Sequence, residues 1–345
     1  MKKEMYSSEV TLLRDTFRRL LRRHAKTNIV KLLDKTHPSD LALIFRYFND
    51  AEQDSIFSNM LPSEETVKFL YELDESIATR LIERETAERL AEIMQQASSN
   101  EQAFLMGLVS DEFASSVIDL LQAEEQEELE EMMAYPEDSA GILMYTDVFT
   151  LHEETKAREA IYALQDQEDA EMVFYLYTLD DDGRLTGVIS LRDLVTTPSE
   201  TMLKDIMSKN IQAVRAETDQ EEVARIVSQY NFLAVPVVDA SEKLLGIVTV
   251  DSVVDVIREE ATEDFLQLAG AGKDREILLK SSWENARIRL PWLFASWIGG
   301  ILAAFIIGVF DNILESTIAL AAFIPVIIGM GGNVGTQSST IIVRG

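Results

Sequence analysis

Between Pro38 and Met133 the apolar positions keep a period of twelve residues. Helix-start chemistry recurs near 38, 50, 62, 74, 86, 98, 110 and 122, where triplets such as Pro-Ser-Asp or Ser-Asp-Glu supply a capping side chain or an early proline. Seven positions after each start stand Phe45, Phe57, Phe69, Leu81, Ile93, Leu105, Val117 and Leu129, all apolar. Helices this short are unstable alone. The pattern therefore predicts a superhelix of short helices that stack these side chains inward. Residues 11–35 read as one preceding amphipathic helix, with Leu12, Leu13, Phe17, Leu20 and Leu21 opposite Arg14, Arg18, Arg19, Arg22 and Arg23. Its basic face suits a membrane surface, an acidic partner, the chain's own acidic segments or plain solvent.

After a turn-rich hinge, Ala134–Met144, the periodicity changes and the chain repeats itself. Two halves each read as short strand, helix, apolar strand, acidic turn, apolar strand and helix. Gly187-Val-Ile-Ser-Leu aligns with Gly246-Ile-Val-Thr-Val, and Leu143-Met144 with Ile206-Met207. This duplication of roughly 60 residues resembles a tandem cystathionine-β-synthase (CBS) pair over about 140–258. In that family a hydroxyl residue, two spacers and an Asp hold the ribose and phosphates of an adenine nucleotide. The resemblance carries that role to Ser190 and Asp193; the second half has Thr249 followed by Ser252 where the Asp would stand.

From Asp251 to Leu268 the sequence predicts another amphipathic helix. Asp251, Asp255, Glu259 and Glu263 recur every four residues, Glu260 and Asp264 form a second row, and Val254, Ile257, Ala261, Phe265 and Leu268 share another face. Like charges at this spacing repel, so the stripe is either a solvated face or one screened by a cation or a basic partner. A loop, AGAGKDRE, follows. Pro291–Phe310 then gives twenty uncharged residues, enough to cross a bilayer core of about 30 Å, with Trp283, Trp292 and Trp297 near one end. A second uncharged run, Ser316–Val343, reads as broken by Pro325, Gly329, Gly331, Gly332 and Gly335 and carries Asn333 and Thr336–Thr340. Polar groups at membrane depth belong in a bundle interior or on a wet path. Glycines either pack helices closely or let carbonyls approach a hydrated cation. Lys280, Arg287, Arg289 and Arg344 flank this hairpin, whose tip holds Asp311 and Glu315. That asymmetry predicts a multi-pass protein of the cell membrane with residues 1–282 in the cytoplasm.

Charge sharpens the picture. The formal net charge of −29 excludes a nucleic-acid backbone as partner. Leu90–Thr155 holds sixteen Asp or Glu and no Lys or Arg, whereas the first 35 residues hold ten basic and four acidic side chains. There is no cysteine, the three histidines are scattered, and no hydrolytic or redox constellation appears, so an enzyme is not expected. The start, MKKEMYSSEV, has no apolar run and predicts no cleaved signal peptide.

Taken in order, an acidic helical superhelix, YPEDSAG before a CBS pair, the EEATED helix and PVIIGMGGNVGTQSST in the membrane resemble the MgtE family of magnesium channels. The expected architecture is multidomain: an all-α superhelical N-terminal domain (1–133), an α+β tandem CBS pair (134–200 and 201–257), an acidic linking helix and loop (258–282), and α-helical transmembrane segments (283–345). Family members carry five membrane helices per subunit, and this sequence reaches Gly345 within or just after the second. The resemblance implies a homodimer, with no enzymatic activity, in which magnesium bound by cytosolic carboxylates holds a pore shut. Carried over by position, the metal ligands would be Glu64, Gly141 through its carbonyl, Glu221, Asp251, Asp255, Glu260, Glu263 and Asp264. Asn231 and Ser252 stand where the family often has Asp. The pore would be lined by Pro325, Gly329, Gly331, Gly332, Asn333 and Gly335, and ATP or another adenine nucleotide would be the further ligand. The other reading is a membrane-anchored CBS regulator that senses nucleotide or magnesium without conducting ions.

Overall fold

The computed structural model describes residues 2–61, 63–166, 174–268, 282–310 and 322–344. They form two units, Met1–Val256 and Ile257–Gly345. The predicted loop AGAGKDRE (269–276), Lys280, and the hairpin tip bearing Asp311 and Glu315 lie outside the described residues.

In the first unit the predicted helix 11–35 is two helices, α1 (Lys2–Arg22) and α2 (Lys26–Leu33). His24 takes a left-handed backbone, φ 50°, and the amides of Ala25 and His24 donate to the carbonyls of Leu20 and Leu21. This is a helix-ending motif usually built on glycine. No Gly or Pro marks it in the sequence, which is why periodicity alone runs through the break.

The twelve-residue cadence is realised as α3 (Pro38–Phe45), α4 (Asp50–Phe57), α5 (Glu64–Tyr71), α6 (Glu75–Ile82), α7 (Ala87–Met94), α8 (Ser99–Gly107), α9 (Asp111–Ile118) and α10 (Ala123–Met133). Each inward position from Phe45 to Leu129 is at most 2% exposed. Alternate helices touch, α3 on α5, α7 on α9 and α8 on α10. Phe45 meets Phe69 edge-on with centroids 4.9 Å apart. Helix ends this close together leave buried carbonyls without helical partners. Glutamines answer them: Gln53 donates to Phe45 O, Gln102 to Met94 O and Gln126 to Ile118 O, each eight residues back.

The α/β part begins with α11 (Ala140–Leu143). Its first half is β1 (Thr150–His152), α12 (Ala157–Asp166), β2 (Tyr175–Leu179), β3 (Leu185–Ser190) and α13 (Leu191–Thr196). After α14 (Leu203–Ile206), the second half repeats this with β4 (Val214–Arg215), α15 (Gln220–Tyr230), β5 (Ala234–Val238), β6 (Leu244–Thr249) and α16 (Val250–Leu268). Each sheet pairs its first two strands in parallel and its last two antiparallel. Even the register shift recurs, at Thr178/Leu179 and at Val237/Val238.

The lead segments are exchanged between the halves. Tyr145, ahead of the first half, bridges to Ile247 in the second; Ser208, ahead of the second, bridges to Val188 in the first. Both crossings need a residue with no side chain beneath them. A Cβ on Gly187 would lie 2.4 Å from Met207 Sδ, and one on Gly246 would lie 2.5 Å from the Tyr145 carbonyl oxygen.

In the second unit α17 (Ser282–Val309) contains Asn285–Val309, which among the described residues is the one helix long and apolar enough to cross a membrane. α18 (Ile324–Arg344) is continuous. The run that reads as broken is not: Pro325 falls in the first turn, where its missing N–H costs nothing, and glycine weakens a helix without ending it. Thr336 Oγ1 donates to Gly332 O. The glycines thus give α18 a surface of small residues rather than an unwound stretch of free carbonyls.

Two substitution experiments check this reading. Phe69→Asp should cost several kcal/mol by burying an unpaired charge, and Phe69→Leu about 1–2; thermal melts of both variants compare them. Gly246→Ala should destabilise more than Gly187→Ala, because a backbone carbonyl yields less than a methionine tip.

Candidate functional site

One apolar core runs from the helical stack into the second α/β half, joining Leu105 and Met132 to Met144, Val248 and Val253. Where this core reaches the surface the lining turns acidic. A cavity of about 360 Å³ is lined by Lys68, Tyr71, Asn100, Glu101, Tyr145, Asp251, Ser252 and Asp255. Beside it, one of about 420 Å³ is lined by Glu64, Glu101, Glu125, Glu128 and Asp147 among others. A third adds Glu124, Glu127 and Glu131. Across the three, ten carboxylates face a single ammonium, that of Lys68.

Polar contacts stitch the seam. Ser99 Oγ donates to Glu128 Oε1 at 2.8 Å, and Thr146 Oγ1 donates to the same oxygen. Glu101 Oε2 accepts from the Ser98 amide, closing the start of α8. The Tyr145 hydroxyl engages Ser252 and Asn100. Burial, and then the charge of Asp251, push the Tyr145 pKa up, so the phenol stays neutral. Glu64 pairs with Lys68 one turn along α5.

These contacts gather some predicted ligands and leave others apart. Asp251 and Asp255 share one cavity with Glu101, and Glu64 lines the next. Gly141 and Glu221 lie at the entrance to the second half: the Gly141 amide donates to Ala216 O, and Glu221 opens α15 with its amide on Asp219 Oδ1. A Cβ on Gly141 would stand 2.5 Å from the Tyr135 ring. Glu260, Glu263 and Asp264 follow along α16 in the second unit, where Glu263 is 8% exposed and accepts from Gln267. Among the described residues no three His, Asp or Glu side chains converge closely enough to hold a bare metal ion. Sequence reading missed Glu101, Glu128, Tyr145 and Thr146. The missing cations of Leu90–Thr155 were the available signal.

The predicted nucleotide pair sits elsewhere. Ser190 caps α13, accepting from the Asp193 amide, and its hydroxyl donates to Asp193 Oδ2 at 2.7 Å. In the second half the matching Thr249 and Ser252 are buried, 3.3 Å apart, against Tyr145. Ser190 is half-buried and Asp193 exposed, whereas in the second half the chain's own side chains pack together at the matching positions. Pro325, Gly329, Gly331, Gly332, Asn333 and Gly335 are all exposed along α18.

Lys68→Gln should remove the seam's one cation. Its melting temperature should fall more at low than at high ionic strength, because mobile salt then does the screening; melts at two salt concentrations measure this.

Known proteins share this arrangement. Residues 36–138 match the family model of the MgtE intracellular N domain, and 140–200 and 203–259 each match the CBS domain. The magnesium transporter MgtE of Bacillus subtilis is 32% identical over 91% of this chain and 69% of its own length. That of Thermus thermophilus is 34% identical, over 91% and 71%. The chain thus spans about seven-tenths of the length of these relatives. Among solved structures, the cytosolic domain of the Mg2+ channel MgtE in complex with ATP is 31% identical, with a TM-score of 0.67 over 70% of this chain and 99% of that one.

Proposed function

The chain belongs to the MgtE family of magnesium transporters, and we propose that it is a channel subunit whose acidic seam reads cytosolic magnesium. The family is one of transporters rather than enzymes. The observation that carries the proposal is the seam itself, with ten carboxylates facing one ammonium. Two carboxylates about 6 Å apart repel by roughly 1–3 kcal/mol at an effective dielectric of 20–40. Without cations the seam pushes the helical stack away from the second α/β half. Magnesium dehydrates reluctantly, so hydrated ions fit cavities whose carboxylates are too far apart for a bare one. Filling them closes the seam and holds α16, which begins at Asp251 and Asp255, in one position. In sequence α16 runs on through Glu260, Glu263 and Asp264 ahead of the membrane segment, so its position is what a pore along α18 would respond to. Two such chains would make the working unit in the cell membrane, with the acidic body in the cytoplasm.

The Ser190–Asp193 pair supports a second ligand. We assign it an adenine nucleotide, as in the ATP-bound relative, in the first half only, because Tyr145 and Ser252 fill the equivalent place in the second.

Energy transfer between dyes on Ser58→Cys and Ser228→Cys, in a chain with no native cysteine, measures the first claim. Millimolar magnesium at constant ionic strength should shorten and narrow the distance. Glu101→Gln, Asp251→Asn and Asp255→Asn together should start closed and respond little; a parent distance unmoved by magnesium would reduce the seam to a solvated face. For the second claim, ATP should raise the melting temperature of the full chain. Asp193→Ala should erase that rise, and Ser252→Ala should leave it.

A further inference from the structure

The magnesium reading leaves one conspicuous feature unused, the basic end of the helical stack. Arg14 and Arg18 are spoken for: Arg14 bonds Asp15, and Arg18 donates to Tyr47 O, stacks on Phe48 and lies 3.7 Å from Glu52. Arg19, Arg22, Arg23, Lys26, Lys31 and Lys35 differ. All six are exposed, and none forms an ion pair with another described residue. The left-handed turn at His24 brings the last-turn arginines of α1 next to the first turn of α2. From Arg19 to Lys35 only Asp34 is acidic.

A cluster of unpaired cations repels itself and lowers stability unless something anionic meets it. We propose that this patch docks on the anionic phospholipid surface of the bilayer that holds the chain. The proposal rests on the membrane reading of α17. Three observations favour lipid over another protein. The membrane helix keeps such a surface within the chain's own reach at high effective concentration. The rest of the body is so acidic that an anionic surface repels it, leaving the basic end as the face that can approach. Leu12, 69% exposed on α1, offers an apolar side chain to the headgroup boundary. Docking would restrain one end of the helical stack, the body whose approach to the second α/β half the seam controls. Lipid charge would then set how readily the seam closes.

The test uses the full chain in nanodiscs, with an environment-sensitive dye on Thr27→Cys, an exposed position in the first turn of α2. Co-elution with nanodiscs of either lipid checks the membrane reading separately. In discs containing phosphatidylglycerol the dye should shift to an apolar emission that high salt reverses, and in pure phosphatidylcholine it should not. Arg19→Gln, Arg22→Gln and Arg23→Gln together should weaken docking on the order of a hundredfold at low salt, and the same three changed to Lys should retain it. A shift equal in both lipids, or absent from both, overturns the proposal. So does one that grows with protein concentration regardless of lipid, which would mark the acidic tract of a second copy as the occupant instead.

Discussion

Everything in the first unit is arranged around a contest between apolar burial and like-charge repulsion at one boundary. The helical stack and the second α/β half share a continuous core, so hydrophobic burial pulls them together. The charged groups on the rim of that core are carboxylates except for Lys68, so electrostatics pulls them apart. Neither force alone makes a switch. In the proposed switch a near-balance would let a modest change in cation concentration choose between them, and sites that keep their hydration water would supply the graded response such a balance needs.

The scaffold keeps the contest confined. Phenylalanines stacked edge-on and glutamines capping each preceding helix make the helical stack stiff along its length. On the proposed reading, repulsion at the seam would therefore act on whole bodies rather than dissipate in fraying helices. The triangle of Ser99, Thr146 and Glu128 does the opposite work. It holds one carboxylate in place with hydroxyl donors, its charge intact, and leaves the others to the solvent and its ions.

Much of this was legible in the amino-acid order because repetition amplifies weak signals. One inward residue every twelve names a superhelix, and Gly-Val-Ile-Ser answered by Gly-Ile-Val-Thr names a paired fold, even though no single position is decisive. Unrepeated features were not legible. His24 ends a helix without the glycine that usually announces it, and α18 runs unbroken through residues that usually interrupt. The seam was only half visible. Asp251 and Asp255 sit in a regular stripe and could be picked out, whereas Glu101 and Glu128 are ordinary helix glutamates whose meaning depends on what faces them across more than a hundred residues of chain. Gly141 and Gly246 are one-residue constraints, and only the approach of Tyr135 and Tyr145 gives them a reason.

The exchanged lead segments carry a consequence for how the molecule is born. During synthesis the helical stack is complete once Met133 has emerged, and its contacts are local. The segment around Tyr145 can meet Ser99 and Glu128 as soon as it emerges, but its strand pairing waits for Ile247, about a hundred residues later, while the segment around Ser208 finds Val188 already made. The first half therefore closes before the second, and the strip that joins stack to sheet is the last of the three to be buttoned down. The boundary that carries the acidic seam is thus also the last part of the first unit to be pinned in the nascent chain.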